Sequence, residues 1–355
     1  MDDPEVLVEL LEAYSPSGHE GPAVERFRAL AQRLGYSVSS DVAGNGIARR
    51  GSGRPQILFL GHIDTVEGAL PVRREGTRIY GRGACDAKGP LAAALLAGRT
   101  APTRGEVVVV AAVGEETDSR GARALLEAFR PEYVIAGEPS GWDGLAVGYK
   151  GDLRLKAIFL GDRAHLSAPT ASTADRAVEW IQGLRQEVAR RTGPTPFRSL
   201  TFKVISIATT TDGGAERVEV VVDLRIPPGS GAAALLAQLP REGGPETIEP
   251  LVELDPYEGD RLDPVVAALS QGIRAAGGRP TLWRKTGTSD LNLVAPAWRV
   301  RGAAYGPGDS RLDHTDGEFL EVEDLDRAVR VLAHAFEILA AGEARPTPRR
   351  SDERA

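Results

Sequence analysis

Three short apolar runs constrain the fold of this 355-residue chain more than any other feature. They cover residues 57–60, 107–113 and 134–136. Each is rich in Val, Ile, Leu or Ala and does not alternate with polar residues, which is typical of strands buried on both faces of a parallel sheet. We therefore predict an α/β fold with a mostly parallel sheet.

Acidic and histidine side chains follow these runs and recur in two further segments. They occur in five motifs: Gly-His62-Ile-Asp64, Gly-Ala-Cys-Asp86-Ala-Lys88-Gly, Gly-Glu115-Glu116-Thr, Gly-Glu138-Pro-Ser and Leu-Asp313-His314-Thr. Open α/β sheets place their sites at the carboxyl ends of the strands. Residues far apart in the sequence are therefore expected to meet in one crevice.

The residue types in these motifs suffice for two divalent metal ions. Two ions about 3.5–4 Å apart need a bridging carboxylate, further acidic or imidazole ligands and a water between them. Asp86 is the natural bridge, because it occupies a glycine-rich loop just before a predicted helix. His62 and Glu138 would complete one metal position, and Glu116 and His314 the other.

Two more acids are predicted to support the reaction. If the first strand continues through Asp64, this side chain shares the side of His62 and can accept its spare N–H. Adjacent acids such as Glu115 and Glu116 are usually a solvated pair, but these follow a buried-strand pattern beside other candidate ligands. One can bind metal while its neighbour acts as a general base on the attacking water.

Composition narrows the classes of protein. The length allows two domains, and no run approaches the ~20 apolar residues of a membrane span. The single cysteine excludes an internal disulfide, and the net charge of −7 argues against nucleic-acid binding. The N-terminal residues are acidic and unlike a secretory signal. A cytoplasmic protein is the simplest expectation.

A long segment without metal motifs separates the motif around Glu138 from the motif around His314. We predict a catalytic domain from 1–150 and 257–342, an inserted α+β dimerisation domain from 151–256 and a disordered tail from 343–355. Helices are predicted at 4–14, 21–34, 172–191, 231–239, 263–276 and 322–340, and strands of the insertion at 153–160, 199–208 and 217–226.

The order and spacing of these motifs resemble the co-catalytic zinc aminoacylase and carboxypeptidase family over nearly the whole chain, to about residue 340. The resemblance implies amide hydrolysis with two Zn²⁺ per subunit, which Co²⁺ can replace. It assigns His62, Asp86 and Glu138 to one metal, Asp86, Glu116 and His314 to the other, Glu115 as the base and Asp64 as the partner of His62.

The resemblance also suggests residues outside the metal motifs. His165, in Arg163-Ala-His165-Leu, matches a histidine that reaches across a homodimer and stabilises the oxyanion; a surface-loop histidine is the alternative. Arg225 matches an arginine that grips a substrate carboxylate; a structural strand arginine is the alternative, and an asparagine often found ahead of that strand is not evident. The substrate-binding candidates are Arg225, Lys285, Thr288, Ser289 and Asp290.

The acyl group of the substrate is the open question. The compact length and the loop 285–292 resemble most the hydrolases that release lysine or ornithine from an acidic amino-group carrier protein in lysine and arginine biosynthesis. Residues 150–203 hold ten Lys and Arg against five Asp and Glu. This local excess could steer an acidic partner, or be a solvated basic face without one.

Other functions remain open at this point. Acetylornithine deacetylase and succinyl-diaminopimelate desuccinylase would share every metal residue and differ only in the acyl pocket. A dipeptidase or aminopeptidase is a further alternative. A non-catalytic binding module on the same fold belongs to a different class, and the intact Glu115 argues against it.

Overall fold

The computed structural model describes residues 3–100, 104–162, 169–240 and 244–343. The chain divides into two compact units. The larger unit comprises residues 1–148, 259–284 and 289–355, and the smaller unit comprises 149–258 and 285–288. Among the described residues, no helix combines the length and apolar character needed to cross a membrane. The predicted tail lies, from residue 344 onward, outside the described residues.

The elements are numbered in chain order. The helices are α1 (Asp3–Glu12), α2 (Gly21–Arg33), α3 (Lys88–Gly98), α4 (Arg120–Ala128), α5 (Thr173–Arg190), α6 (Ala232–Ala237), α7 (Pro264–Ala275), α8 (Leu291–Trp298) and α9 (Val322–Ala341). The strands are β1 (Ser37–Ser40), β2 (Gly46–Ser52), β3 (Gln56–His62), β4 (Arg73–Glu75), β5 (Arg78–Tyr80), β6 (Gly105–Ala112), β7 (Tyr133–Gly137), β8 (Gly144–Tyr149), β9 (Gly151–Asp162), β10 (Thr201–Asp212), β11 (Ala215–Ile226), β12 (Thr247–Leu254), β13 (Tyr257–Glu258), β14 (Thr281–Lys285), β15 (Gly302–Ala304) and β16 (Phe319–Glu321).

The main sheet of the larger unit runs in the order β1-β2-β6-β3-β7-β15-β8. Its four central strands, β6, β3, β7 and β15, are mutually parallel, whereas β1, β2 and β8 pair antiparallel at the flanks. The three apolar runs lie in β3, β6 and β7, apart from Val113, which directly follows β6, and they are buried throughout. The predicted α/β fold with a parallel sheet at its centre is confirmed.

Helices bury the apolar surface of this sheet. Every residue of α3 is buried, because its small and apolar side chains allow close contact with β3, β6 and α9. Helix α9 buries a stripe spaced three and four residues apart, including Leu325, Leu332 and Phe336. Truncating a fully buried phenylalanine such as Phe336 typically costs about 3–5 kcal/mol of stability.

The smaller unit contains a four-stranded antiparallel sheet in the order β10-β11-β9-β12. Strand β11 buries Val218, Val220 and Val222, which face one side of the sheet because side chains alternate along a strand. They share a core with Trp180 of α5, a helix that begins at a capping box formed by Ser172 and Asp175. One face of this sheet is therefore covered by helix.

The short elements were not predicted from the sequence. Strands β4, β5 and β16 form a separate three-stranded sheet in the order β16-β5-β4. Each has only three residues, which is too short for a periodic pattern to stand out. Helix α4 and the eight-residue α8, with Pro296 inside it, were missed as well.

Candidate metal centre

Neighbouring parallel strands bring four of the predicted side chains to one edge of the sheet. His62 is the last residue of β3, Glu138 directly follows β7, and Glu115 and Glu116 follow β6 after a short turn. Strand β3 lies between β6 and β7. Because parallel strands end at the same edge, these residues meet there despite their separation in the sequence.

A glycine makes the turn after β6. Gly114 has φ +74°, and a side chain at this position would also collide with Arg120. The Gly114 carbonyl oxygen accepts hydrogen bonds from the amides of the next turn, among them that of Ser119 at 2.7 Å. The chain therefore reverses directly at Glu115 and Glu116, and their side chains stay at the sheet edge.

Asp86 lies between the two predicted histidines. Its Oδ1 is 2.9 Å from Nε2 of His62, and its Oδ2 is 3.4 Å from Nε2 of His314. Each carboxylate oxygen thus faces a different imidazole. This is the arrangement expected of a carboxylate that bridges two metal ions, each carrying one histidine.

His314 approaches from the loop between β15 and β16. Its Nε2 lies 2.8 Å from Oε1 of Glu116, and its side chain is about half exposed. The backbone of His314 has φ +63°, a conformation that residues other than glycine rarely adopt. Such backbone strain persists only where surrounding contacts hold it, and it is common at functional sites.

The described residues contain three groups whose potential ligand atoms lie within 4.8 Å of one another. They are His62, Asp86 and Glu138; Asp86, Glu116 and His314; and His62, Glu115 and Glu116. The first two groups have the same members as the two predicted metal positions and share Asp86. In the third group Glu115 lies beside both positions without being needed to complete either.

The charges of the site suit two divalent ions. The three groups contain four carboxylates and two imidazoles, so with every group deprotonated they would carry four negative charges. Burial, with the charges of Glu115 and Asp86, raises the pKa of Glu138 well above its ordinary value. Burial and nearby acids including Asp290 raise the pKa of Glu115 in the same way. Both shifts favour the protonated carboxyl groups, whose protons bound divalent cations would displace.

The pKa values of the two histidines are raised as well. Burial opposes protonation of His62, but its hydrogen bond to Asp86 and the surrounding carboxylates raise its pKa well above the ordinary value. Hydrogen bonds to Asp86 and Glu116 raise the pKa of His314 to about 10. Although burial acts against it, the two histidines lower the pKa of Asp86. The cluster attracts cations.

Asp64 contacts the site differently from the prediction. His62 Nδ1 lies 3.0 Å from the main-chain oxygen of Asp64, and 3.7 Å from its carboxylate. The carboxylate instead accepts hydrogen bonds from the amides of Glu115 and Glu116, both at 3.1 Å, and from Ser17 Oγ at 2.7 Å. Asp64 therefore fixes the backbone of both glutamates, and its carbonyl orients His62.

Three contributing residues were missed from the sequence: Ser17, Arg82 and Glu318. Ser17 supports Asp64, whereas Arg82 and Glu318 form a buried ion pair at 3.0 Å beside the Asp86 loop. The sequence positions of Arg82 and Glu318 could have indicated this ion pair. Arg82 stands between two glycines just before Asp86, and Glu318 follows His314 by four residues.

The predicted substrate loop belongs partly to each unit. In the larger unit, Ser289 and Asp290 are buried, and burial raises the pKa of Asp290 to about 6. The charge of Asp290 in turn contributes to the raised pKa values of Glu115 and Glu138. Asp290 therefore contributes to the electrostatics of the cluster.

Arg225 lies in the smaller unit together with Lys285 and Thr288. Its guanidinium donates to the carboxylate of Asp223 at 2.9 and 3.1 Å, and Nη1 lies 3.4 Å from Thr288 Oγ1. The fork is thus already engaged by one carboxylate, which fits the structural alternative for this strand arginine. Lys285 is half-buried. His165 lies outside the described residues.

Several bases of residues 150–203 are buried or paired with acids, so the local excess of positive charge is smaller than the count along the sequence suggests. Lys150 is fully buried and donates to Ser199 O at 2.6 Å. Other bases in the segment pair with acids, several of them outside the counted segment: Arg154 with Asp152 and Asp223, Lys156 with Glu249, Arg176 with Glu246, and Arg198 with Glu258. Counting charges along the chain missed these partners because strands and loops from later segments supply them.

The sequence matches the profile of peptidase family M20/M25/M40 over residues 58–338. A LysW-lysine hydrolase from Deinococcus radiodurans is 36% identical over 355 residues, covering 95% of this chain and 97% of the relative. A LysW-lysine/LysW-ornithine hydrolase from Sulfurisphaera tokodaii is 31% identical over 337 residues, covering 94% and 95%.

Solved structures with low sequence identity share the fold. Aminopeptidase PepT from Bacillus cereus superposes with a TM-score of 0.77 at 21% identity, covering 96% of this chain and 98% of that one. A protein from Bacillus subtilis described as a dinuclear metal-binding peptidase of the M20 family gives a TM-score of 0.69 at 14% identity, covering 96% and 98%.

Proposed function

This chain belongs to peptidase family M20/M25/M40 and is an amide hydrolase, and we propose that it releases lysine or ornithine from an amino-group carrier protein. The bond cleaved joins the α-amino group of the amino acid to the γ-carboxyl of the carrier's C-terminal glutamate. Water adds across this bond, so the products are the free carrier carboxylate and the free amino acid.

The observation that carries the proposal is the pairing of Asp86 with both histidines in a chain that aligns with carrier-lysine hydrolases over nearly its whole length. The cluster supplies the donors for hydrolysis, and the relatives' names point to the acyl group. Their identity of 31–36% spans both units, so the likeness is not confined to the metal motifs.

The residues present fit two divalent ions, for which we propose Zn²⁺, replaceable by Co²⁺. His62, Asp86 and Glu138 would hold one, and Asp86, Glu116 and His314 the other. Oxygen and imidazole donors suit zinc in hydrolytic sites. When bound, the ions would polarise the scissile carbonyl and lower the pKa of the attacking water.

Glu115 is proposed as the general base. It would take a proton from the attacking water and return it to the nitrogen of the departing amino acid, so the cycle leaves Glu115 unchanged. Asp64 keeps the backbone of Glu115 in place through its amide.

Groups of the smaller unit are proposed to handle substrate. His165 would stabilise the oxyanion in the partner's site of a homodimer, while Arg225, Lys285 and Thr288 would bind the substrate's carboxylate or carrier chain. Arg225 can serve only if a substrate carboxylate replaces or shares its contact with Asp223. Ser289 and Asp290 are proposed to line the same loop from the larger unit.

The homodimer is supported by the exposed edge of the smaller unit's sheet. Strand β10 is twelve residues long and pairs on one side only, with β11, among the described residues. Ile205 and Ile207 on it are 57% and 54% exposed. A long edge strand with exposed apolar side chains is normally covered in a native protein, and a second copy of the same strand would cover it.

We place the enzyme in the cytoplasm, where a single unpaired cysteine is expected.

The proposal is tested by offering the Zn²⁺-loaded protein four substrates side by side: carrier-linked lysine, carrier-linked ornithine, acetylornithine and succinyl-diaminopimelate. We expect a far higher kcat/KM on one or both carrier-linked substrates. A higher kcat/KM on acetylornithine or succinyl-diaminopimelate would replace the carrier with a small acyl group and leave the amide hydrolase intact.

A further inference from the structure

A buried ion pair joins the two loops that carry Asp86 and His314. Arg82 is 5% exposed and Glu318 is 1% exposed, and the contact between Nη1 and Oε2 is 3.0 Å. A buried charge is stable only with its hydrogen bonds satisfied. Both partners meet this condition through main-chain groups of the two loops.

Glu318 holds the Asp86 loop by its backbone. Its Oε1 accepts hydrogen bonds from the amide of Cys85 at 2.9 Å and from the amide of Asp86 itself at 3.2 Å. Cys85 Sγ also contacts the carbonyl oxygen of Phe319, the residue after Glu318, at 3.0 Å. The position of the Asp86 backbone is therefore set by the segment that follows His314.

Arg82 holds the His314 loop from the other side. Its Nη1 donates to the carbonyl oxygen of Thr315, the residue directly after His314, at 2.9 Å. Its Nε donates to Gly68 O, also at 2.9 Å. These contacts stabilise a loop in which His314 keeps a positive φ.

We propose that Arg82 and Glu318 are positioning residues that set the distance between Asp86 and His314, and so selectively support the metal position formed by Asp86, Glu116 and His314. This inference rests on the proposed function. The other position, His62, Asp86 and Glu138, has two of its three members on the ends of paired strands. It depends less on the two loops.

The test variant is Glu318→Gln, which keeps the size of the side chain. An amide has one accepting oxygen and one donating nitrogen, so it cannot accept from both the loop amides and Arg82. The metal-free variant is titrated with Co²⁺, and binding is followed by the absorption of the bound ion. We expect one of the two Co²⁺ equivalents to bind about 10–100-fold more weakly than in the wild type, as is typical when a residue supporting a ligand is lost. The other equivalent should change by less than about threefold.

A matched control is Glu106→Gln. Glu106 is also paired with an arginine, Arg49, at 3.3 Å in the larger unit, but at the opposite end of β6 from Glu116. The Glu106→Gln variant should bind both Co²⁺ equivalents with the same affinities as the wild type. If Glu318→Gln does not fold, Arg82→Lys decides by the same criteria. Lysine keeps the charge, but its single nitrogen cannot replace both Nη1, which contacts Glu318 and Thr315, and Nε, which contacts Gly68.

A lower melting temperature with both Co²⁺ affinities unchanged would reduce the pair to a structural role and overturn the inference. Equal weakening of both equivalents would overturn it too, since the pair would then support the whole sheet edge. A wild-type protein that binds fewer than two Co²⁺ ions would instead reject the two-metal function on which the inference rests.

Discussion

His314 Nε2 lies 2.8 Å from Glu116 Oε1, although 198 residues separate them in the sequence. Because Asp86 Oδ2 is 3.4 Å from the same nitrogen, His314 closes a three-residue group at the edge of the sheet. The second group consists of His62, Asp86 and Glu138, so the two groups share Asp86. The proposed chemistry depends on both groups being complete.

The bridging role of Asp86 predicts different metal stoichiometries for two substitutions. Asp86→Ala removes a ligand from both positions, so metal content measured after dialysis should fall toward zero. His314→Ala removes a ligand from one position only, and about one metal ion per chain should remain. Equal metal content in the two variants would contradict a shared carboxylate.

The contacts of Asp64 predict a defect in turnover. Asp64→Asn keeps the size of the side chain, but its amide nitrogen cannot accept from a backbone N–H, so one of Glu115 and Glu116 loses its anchor. We expect kcat to fall by about 10–100-fold, typical for loss of a supporting contact. Ser17→Ala is the control; it removes one contact to Asp64, leaves both glutamate amides paired and should have a smaller effect. Unchanged kcat in Asp64→Asn would remove its positioning role.

The raised pKa values predict how stability of the metal-free protein depends on pH. Glu115 and Glu138 bind protons more tightly folded than unfolded, because burial raises their pKa well above 4.5. Stability from such groups is fully present below the unfolded value and is lost as pH rises toward the folded one. Asp290, raised to about 6, acts in the same direction.

The free energy of unfolding, measured with a chelator present, should therefore fall between about pH 4.5 and 6, by about 1.4 kcal/mol per pH unit for each proton involved. Glu138→Gln should flatten this slope, because the amide does not titrate. A metal-free protein that becomes more stable across this range would show that these acids are already ionised.

Much of the fold was predictable, because the relevant patterns are long or strongly apolar. The strand that ends at His62 is seven residues long and begins with a polar residue, Gln56. The predicted helix 322–340 falls wholly within α9, which ends one residue later. Short strands such as β15 have no such pattern, although β15 is the parallel neighbour of β7. Tertiary pairing, not local sequence, makes it a strand.

The candidate site, like the fold, was only partly predictable from the sequence. Residue types and spacing predicted the cluster around Asp86, because most of its side chains follow a recognisable strand or a glycine-rich turn; His314 follows neither. The contacts of Asp64 and the pairing of Arg154 and Lys156 were not predictable, because their partners come from other segments of the chain. A count of charges in one segment contains no information about these partners.

The proposed assembly predicts rescue between two inactive variants. His165→Ala and Glu115→Gln chains, each inactive alone, would form mixed dimers in which one site has an intact Glu115 and the partner's intact His165. Random exchange makes half of the dimers mixed, so activity should recover to at most about a quarter of wild type. No recovery after confirmed exchange would place His165 within its own chain or outside catalysis.

The most direct measurement follows Zn²⁺ binding and hydrolysis of carrier-linked lysine in one titration, with wild type and Glu115→Gln side by side. The wild type should bind two Zn²⁺ per chain and reach full activity when both are bound. Glu115→Gln should bind the same two ions and lose about 10²–10⁴-fold in kcat, the usual worth of a general base. Activity in the wild type that survives complete chelation, or full activity in Glu115→Gln, would contradict the account.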